Sequence, residues 1–237
     1  MCTDTGQALP NDLFCKVGGM CASGACIPSG SWITRGEDNR TFTGGWLFSF
    51  VDDGATIMPL AGEGVTFPTS PGGRSGKGMR VSITMPPQEP MRAIYPVGAL
   101  GWSFAAQGTM NLTTLGKGLS FYVKSTTAVT LAVRLVDKWT DPRYGYCSLT
   151  HDPLIPDWCH NYPEAKCNLV APAAGQDNWT LCRFVWADFK RDPYSPAKAK
   201  ELDPTNALST HVAPSFTAAG APVARYDITV DDVQFVP

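Results

Sequence analysis

Alternation of apolar and polar residues is the dominant pattern from Trp32 onward. In Gly78-Met79-Arg80-Val81-Ser82-Ile83-Thr84 every second side chain is apolar, which places Met79, Val81 and Ile83 on one face of a strand that Pro86-Pro87 ends. Leu119-Ser120-Phe121-Tyr122-Val123-Lys124 turns its odd positions inward and its even ones outward. Val129-Thr130-Leu131-Ala132-Val133-Arg134-Leu135 does the same and leaves Arg134 on the outer face. Gly45-Trp46-Leu47-Phe48-Ser49-Phe50-Val51 reads as an aromatic strand running into the turn Asp52-Asp53-Gly54. Segments 101–106, 179–186 and 224–236 repeat the pattern. Seven or more short strands separated by turn signals predict an all-β fold, an antiparallel β-sandwich. Residues 196–208 hold one short helical turn at most, and 140–177 and 190–209 read as long irregular connections, where function tends to reside.

Composition fits this picture. The 237 residues include 23 Gly and 20 Pro, which suits many turns between short elements and disfavours long helices. A net charge of −2 without a Lys/Arg run gives no footprint for nucleic acid. No run approaches the roughly 20 apolar residues of a membrane-spanning helix. Residues 1–30 carry four cysteines and five glycines with almost no aliphatic periodicity, so they are expected to form a small disulfide-stapled segment ahead of a sandwich domain over 31–237.

The eight cysteines fall into two groups, Cys2, Cys15, Cys21 and Cys26, then Cys147, Cys159, Cys167 and Cys182. The tightest spacing is C-x4-C and only His160 lies beside a cysteine, which suits disulfides better than zinc. Pairing within each group allows nine connectivities, among which the sequence does not choose. Oxidised cysteines imply an extracellular, cell-surface or periplasmic protein, secreted or surface-bound, with Met1 expected to stand where an export signal was removed. A lipidated Cys2 would leave an odd number in its group.

Five segments in order, Gly36-Glu37-Asp38-Asn39, Gly45-Trp46-Leu47-Phe48-Ser49-Phe50 with Asp52-Asp53-Gly54, Gly118-Leu119-Ser120-Phe121-Tyr122-Val123-Lys124, Trp179 leading into Phe184-Val185-Trp186-Ala187-Asp188-Phe189, and Tyr226-Asp227-Ile228-Thr229-Val230-Asp231-Asp232-Val233-Gln234-Phe235, resemble the galactose-binding-like jelly roll of bacterial carbohydrate-binding modules. The resemblance covers about residues 32–237. It implies polysaccharide binding on a concave sheet or at edge loops, and a structural calcium ion (Ca2+).

Calcium takes six to eight hard oxygen ligands from irregular turns. Glu37 and Asp38 precede the first strand, and a jelly roll brings its last strand beside them. On a regular strand only one of Asp231 and Asp232 turns that way, and the resemblance favours Asp232. Asp52 and Asp53 read as a plain turn.

Sugar binding needs flat apolar surfaces flanked by planar hydrogen-bonding groups. Tyr122 and Arg134 point outward on strands that look adjacent, Trp139, Tyr144 and Tyr146 follow the second of them, and Trp158 sits in the cysteine-bound loop. These six are the candidate carbohydrate-binding residues, whereas Trp46, Trp102, Trp179 and Trp186 read as core. No H-E-x-x-H, G-x-S-x-G or phosphate-loop signature appears. A cleaving enzyme would have to fold Asp141, Asp152, Asp157 or Glu164 into one cleft, and a transition-metal site would use His151 and His160. Three N-x-T sequons, at Asn39, Asn111 and Asn178, matter only in a eukaryotic secretory route. The sequence therefore points to a non-catalytic polysaccharide-binding module, free-standing or part of a larger secreted enzyme or surface assembly. A lyase or hydrolase on the same scaffold and a protein-interaction domain are the alternatives.

Overall fold

A computed structural model describes residues 20–22, 25–27, 32–34, 36–37, 39–52, 54–62, 66–74, 76–87, 97–150, 154, 158–173, 176–191, 201–215 and 222–237. Among them there is no α-helix, only strands and four short 3-10 turns. The strands are β1 (Met20–Ala22), β2 (Ala25–Ile27), β3 (Trp32–Thr34), β4 (Leu47–Asp52), β5 (Thr56–Met58), β6 (Ser70–Pro71) and β7 (Lys77–Met85). They continue with β8 (Val97–Ser103), β9 (Gly118–Ser125), β10 (Val129–Asp137), β11 (Glu164–Leu169), β12 (Thr180–Val185), β13 (Ala207–Pro214) and β14 (Ala224–Val236).

Two antiparallel sheets face each other as a jelly-roll sandwich, the fold class expected from the alternation. One has five strands in the order β11-β10-β13-β8-β4, and the other runs β12-β9-β14-β7-β5 with β3 added to β14 and β6 to β7. Strands β1 and β2 form a hairpin of their own. The disulfide-stapled segment expected over 1–30 and its four cysteine side chains lie outside the described residues.

The core forms where the inward rows of the sheets meet. Met79, Val81 and Ile83 are buried, as are Leu119, Phe121 and Val123, and Leu131, Val133 and Leu135. Trp102 packs edge-on to Phe121 at 5.8 Å, and Phe121 and Phe184 continue the aromatic layer. Each such ring removes well over 100 Å² of apolar surface from water, which makes this layer the main source of cohesion.

Two segments expected to be irregular contain strands. Within 140–177, β11 alternates as Ala165, Cys167 and Leu169 inward against Glu164, Lys166 and Asn168 outward. Its cysteine and charges disguise a short period of two. Strand β13 begins inside 190–209, and Thr210 faces inward beside Val212, so a polar residue interrupts the apolar row. The expected helical turn is a single 3-10 turn at Pro204–Asn206.

Strands β9 and β10 are consecutive but belong to different sheets. Tyr122 and Arg134 therefore lie on opposite outer faces of the sandwich, contrary to the adjacency expected from their sequence spacing.

The second cysteine group pairs internally, Cys147 with Cys159 and Cys167 with Cys182. The latter joins β11 in one sheet to β12 in the other.

Candidate functional site

The outer face of the five-stranded sheet carries a continuous row fixed by strand register. Phe48 on β4 is opposite Gly101 on β8, Gly101 is opposite His211 on β13, His211 is opposite Arg134 on β10, and Arg134 is opposite Glu164 on β11. Gly101 shapes this row. A Cβ there would sit 2.8 Å from Cε2 and Cζ of Phe48, so the missing side chain lets the ring lie over the strand toward His211. The His211 ring meets Phe48 at 5.6 Å, Phe50 at 4.8 Å and Tyr162 at 5.3 Å between centroids, all edge-on. Its Nε2 is 3.3 Å from Ser209 Oγ.

Enclosure by three rings sets the protonation of His211. Burial, aided by the Arg134 guanidinium and by His160, pushes its pKa down to about 3, against the pull of Asp141. The imidazole is therefore neutral at physiological pH. Burial also raises the Tyr162 phenol above its ordinary value, and its Oη is 2.9 Å from His160 Nδ1.

Loops build the walls of a groove of about 420 Å³ over this floor. On one side stand Trp46 and the 105–108 turn, with the Trp46 amide bonded to Ser103 Oγ at 2.9 Å. On the other, Asp141-Pro142-Arg143-Tyr144-Gly145 folds as a capped turn: the Asp141 side chain accepts the Arg143 amide at 2.8 Å, Pro142 opens the 3-10 turn, and Gly145 ends it at φ 70°. The turn presents Tyr144 and Arg143 to the groove. Arg143 holds Asp141 through Nη2 at 2.7 Å, and Arg134 Nε holds Glu164 at 3.0 Å. Both carboxylates on this face are thus matched by a guanidinium in fixed orientation.

The sequence-predicted residues divide. Arg134 belongs to the floor row and Tyr144 to the wall. Trp139 and Tyr146 pack on each other at 4.7 Å, tilted by 51°, outside the groove lining, with Lys138 Nζ 4.7 Å from the Trp139 ring. The Trp139 indole N–H donates to Asp203 Oδ2 at 3.0 Å, and the Asp203 amide donates to Asp137 Oδ2 at 3.1 Å. Burial raises the Asp137 pKa. Burial pushes Asp203 upward too, but hydrogen bonds from Thr205, Trp139 and Asn206 outweigh it and hold that carboxyl below its usual range. Trp158 is half-buried beside the Cys147–Cys159 bridge, its backbone bridged to Ser148. Tyr122 lies on the opposite sheet with the Arg74 guanidinium 3.8 Å above its ring, which covers it as a stacking platform.

Phe48, Phe50, Tyr162 and His211 were not among the sequence candidates, and Trp46, expected in the core, lines the groove. The strand 45–51 did carry a signal. Trp46, Phe48 and Phe50 share one face while Leu47 and Ser49 take the buried one, so large rings occupy the outward positions.

On the other sheet, a bulge in β14 between Asp231 and Gln234 puts Asp232 at φ 51°. Strict alternation fails there, and both carboxylates engage the 72–77 turn: Asp231 Oδ2 accepts the Arg74 amide at 2.6 Å, while Asp232 Oδ2 pairs with Arg74 Nη1 at 2.9 Å. The Arg74 pKa is raised chiefly by that bond to Asp232. Asp231, rather than Asp232, faces the first-strand loop, with Oδ1 3.3 Å from where a Gly36 Cβ would be. Glu37 is exposed and its Oε1 accepts the Lys77 amide at 3.3 Å. Asp38 lies outside the described residues. Among the described residues no three His, Cys, Asp or Glu side chains cluster as a metal site.

No protein-family model matches the chain, and no curated protein matches it. Solved structures do. A family 11 carbohydrate-binding module from Clostridium thermocellum, in complex with a beta-1,3-1,4-mixed-linked tetrasaccharide, superposes with a TM-score of 0.50 at 15% identity over 87% of this chain and 95% of that one. A family 30 module of a cellulosomal cellulase from the same organism gives a TM-score of 0.44 at 10% identity over 79% and 89%. The chain shares the jelly-roll sandwich of the family 11 module.

Proposed function

We propose that the chain is a non-catalytic carbohydrate-binding module that holds a polysaccharide in the groove on its five-stranded sheet. One observation carries this reading: the rings of Trp46, Phe48, Phe50 and Tyr144 line one groove together with the fixed Arg143–Asp141 pair. Phe48, Phe50 and Tyr144 offer apolar surface to pyranose faces, and the fixed Arg143–Asp141 pair offers planar donors and acceptors to ring hydroxyls, with the Arg134–Glu164 pair next to His211 on the floor row. Because these groups are already oriented by one another, little ordering cost remains on binding. The disulfides suit a secreted or cell-surface setting. Attachment to a larger secreted enzyme or surface assembly belongs to the same reading.

The test is affinity electrophoresis and calorimetry against mixed-linkage β-glucan, cellulose, xylan, mannan, pectin and chitin, with a reducing-end assay on each supernatant. Phe48→Ala should weaken binding of the preferred glycan by about 1–3 kcal/mol, roughly 5- to 150-fold, with an unchanged circular dichroism spectrum. Full affinity in both Phe48→Ala and Tyr144→Ala would remove the groove as the site, and release of new reducing ends would make the protein an enzyme.

A calcium ion is part of the proposal. A Cβ at Gly73 would meet Asp231 Oδ2 at 2.8 Å as well as the Lys77 carbonyl, and one at Gly76 would meet the Glu37 carboxylate. Those glycines bring two carboxylates and the Lys77 carbonyl to one turn without a side chain between them, and oxygen donors of this kind suit a hard cation. Glu37 and Asp231 would hold the ion, whose charge would tie the first-strand loop to β14.

A further inference from the structure

The outer face of the seven-stranded sheet carries a second cleft, of about 330 Å³, which the groove reading does not use. Its floor is another register row: Arg80 on β7 is opposite Thr229 on β14, and Thr229 is opposite Lys124 on β9. One wall is the loop ahead of β12, with Gln176, Asp177 and Asn178, and another is Asp227.

The charges in this cleft are not evenly matched. Lys124 Nζ is held by Asp177 Oδ2 at 2.9 Å and lies 4.8 Å from the ring centroid of Trp179, which follows Asn178. Asp227 accepts the Ser82 hydroxyl and has Arg225 Nη2 at 3.8 Å. Arg80 is exposed and makes no hydrogen bond or ion pair with the described residues, and the Gln176 and Asn178 side-chain amides make none either. Among the described residues, the cleft therefore presents one guanidinium without a partner and two planar side-chain amides open to solvent.

A guanidinium with no protein partner selects a planar oxyanion that can accept two parallel N–H bonds, which a carboxylate does. Side-chain amides next to it suit the vicinal hydroxyls of a sugar ring. We propose that this cleft is a second saccharide site, selective for a uronic-acid residue whose carboxylate is held by Arg80 and whose hydroxyls are held by Asn178 and Gln176. It differs in kind from the groove, where each carboxylate already has its arginine. The two sites lie on opposite faces of the sandwich, so one stretch of glycan cannot fill both, and the molecule would join an acidic chain to a second chain.

The test is ¹⁵N heteronuclear NMR on the whole chain, titrated with D-galacturonate and D-glucuronate, with galactose and glucose as neutral counterparts and acetate as a bare carboxylate. Uronate should shift the amides of Arg80, Lys124, Asn178 and Thr229. Those shifts should weaken at least tenfold in Arg80→Met and in Asn178→Ala, partly in Arg80→Lys, and not at all in Phe48→Ala. Raising sodium chloride from 50 to 500 mM should weaken them as well. Equal shifts from the neutral sugars, equal shifts from acetate, or uronate shifts that survive Arg80→Met would each overturn the proposal. The groove is read separately, from the β4, β8 and β13 amides under β-glucan, so loss of binding there leaves the cleft's result standing.

Discussion

His211 tests the enclosure of the groove floor through the pH dependence of stability. Its pKa of about 3 in the folded protein compares with about 6.5 for an unfolded chain. The folded value is the lower one, so the unfolded state takes up the proton first as pH falls. The stability this residue contributes is complete above about pH 6.5 and is lost progressively down to pH 3. At pH 5 the unfolded imidazole is almost fully protonated and the folded one neutral, which gives a loss of about 2 kcal/mol relative to pH 7.5. That figure is governed by the unfolded pKa, because any folded value below 4 leaves it nearly unchanged. Carboxylates also respond to acid, so the quantity to measure is the difference between wild type and His211→Gln. Urea unfolding followed by tryptophan fluorescence should show the two stabilities converging by about 2 kcal/mol between pH 7.5 and 5.0, since His151 and His160 are common to both and cancel. Parallel curves over that range, or an NMR titration midpoint for His211 near 6, would refute the enclosure.

Three further outcomes are expected. Chelation should lower the melting temperature by several degrees and added calcium should restore it, with Glu37→Gln and Asp231→Asn abolishing the response; an unchanged melting curve in all three proteins would remove the ion. Trp139→Ala should leave glycan affinity intact while lowering stability by about 1–3 kcal/mol, through loss of the Asp203 bond and the Tyr146 contact; a matching fall in calorimetric affinity would return Trp139 to the binding surface. The Cys167→Ser/Cys182→Ser double variant should lose about 3 kcal/mol in urea unfolding, the loop-closure value for its separation of 15 residues, and a loss below 1 kcal/mol would contradict it.

The sandwich was legible because its longest strands alternate cleanly. The segments read over 79–83, 119–124, 129–135 and 224–236 fall within β7, β9, β10 and β14, and their inward sets are buried. Strands β11 and β13 were not, because Cys167 and Thr210 occupy inward positions that a hydrophobic count passes over. The groove was only partly legible. Arg134 and Tyr144 could be named from outward position and local chemistry, but Phe48 and Tyr162 reach His211 through pairings between β4, β8 and β13 and through a loop, and no local pattern encodes which strands become neighbours. Tyr122 illustrates the converse. Its outward position was read correctly, but which sheet it belongs to depends on a turn that carries the chain across the core, and its cover, Arg74, comes from a distant turn.

The Cys167–Cys182 bond has a consequence for how the molecule opens. At one margin of the sandwich, β4 in one sheet passes into β5 in the other through a tight turn, with the Ala55 amide bonded to the Asp52 carbonyl. At the opposite margin the cystine supplies the matching closure. The layers are therefore tied along both long sides, and fluctuations that admit water must begin at the open ends, among the loops. Under hydrogen exchange, the amides of β11 and β12 should be as slow as those of interior strands, reversing the usual fraying of outer strands. Reduction would cut one tie and turn the closed sleeve into a hinged pair of leaves.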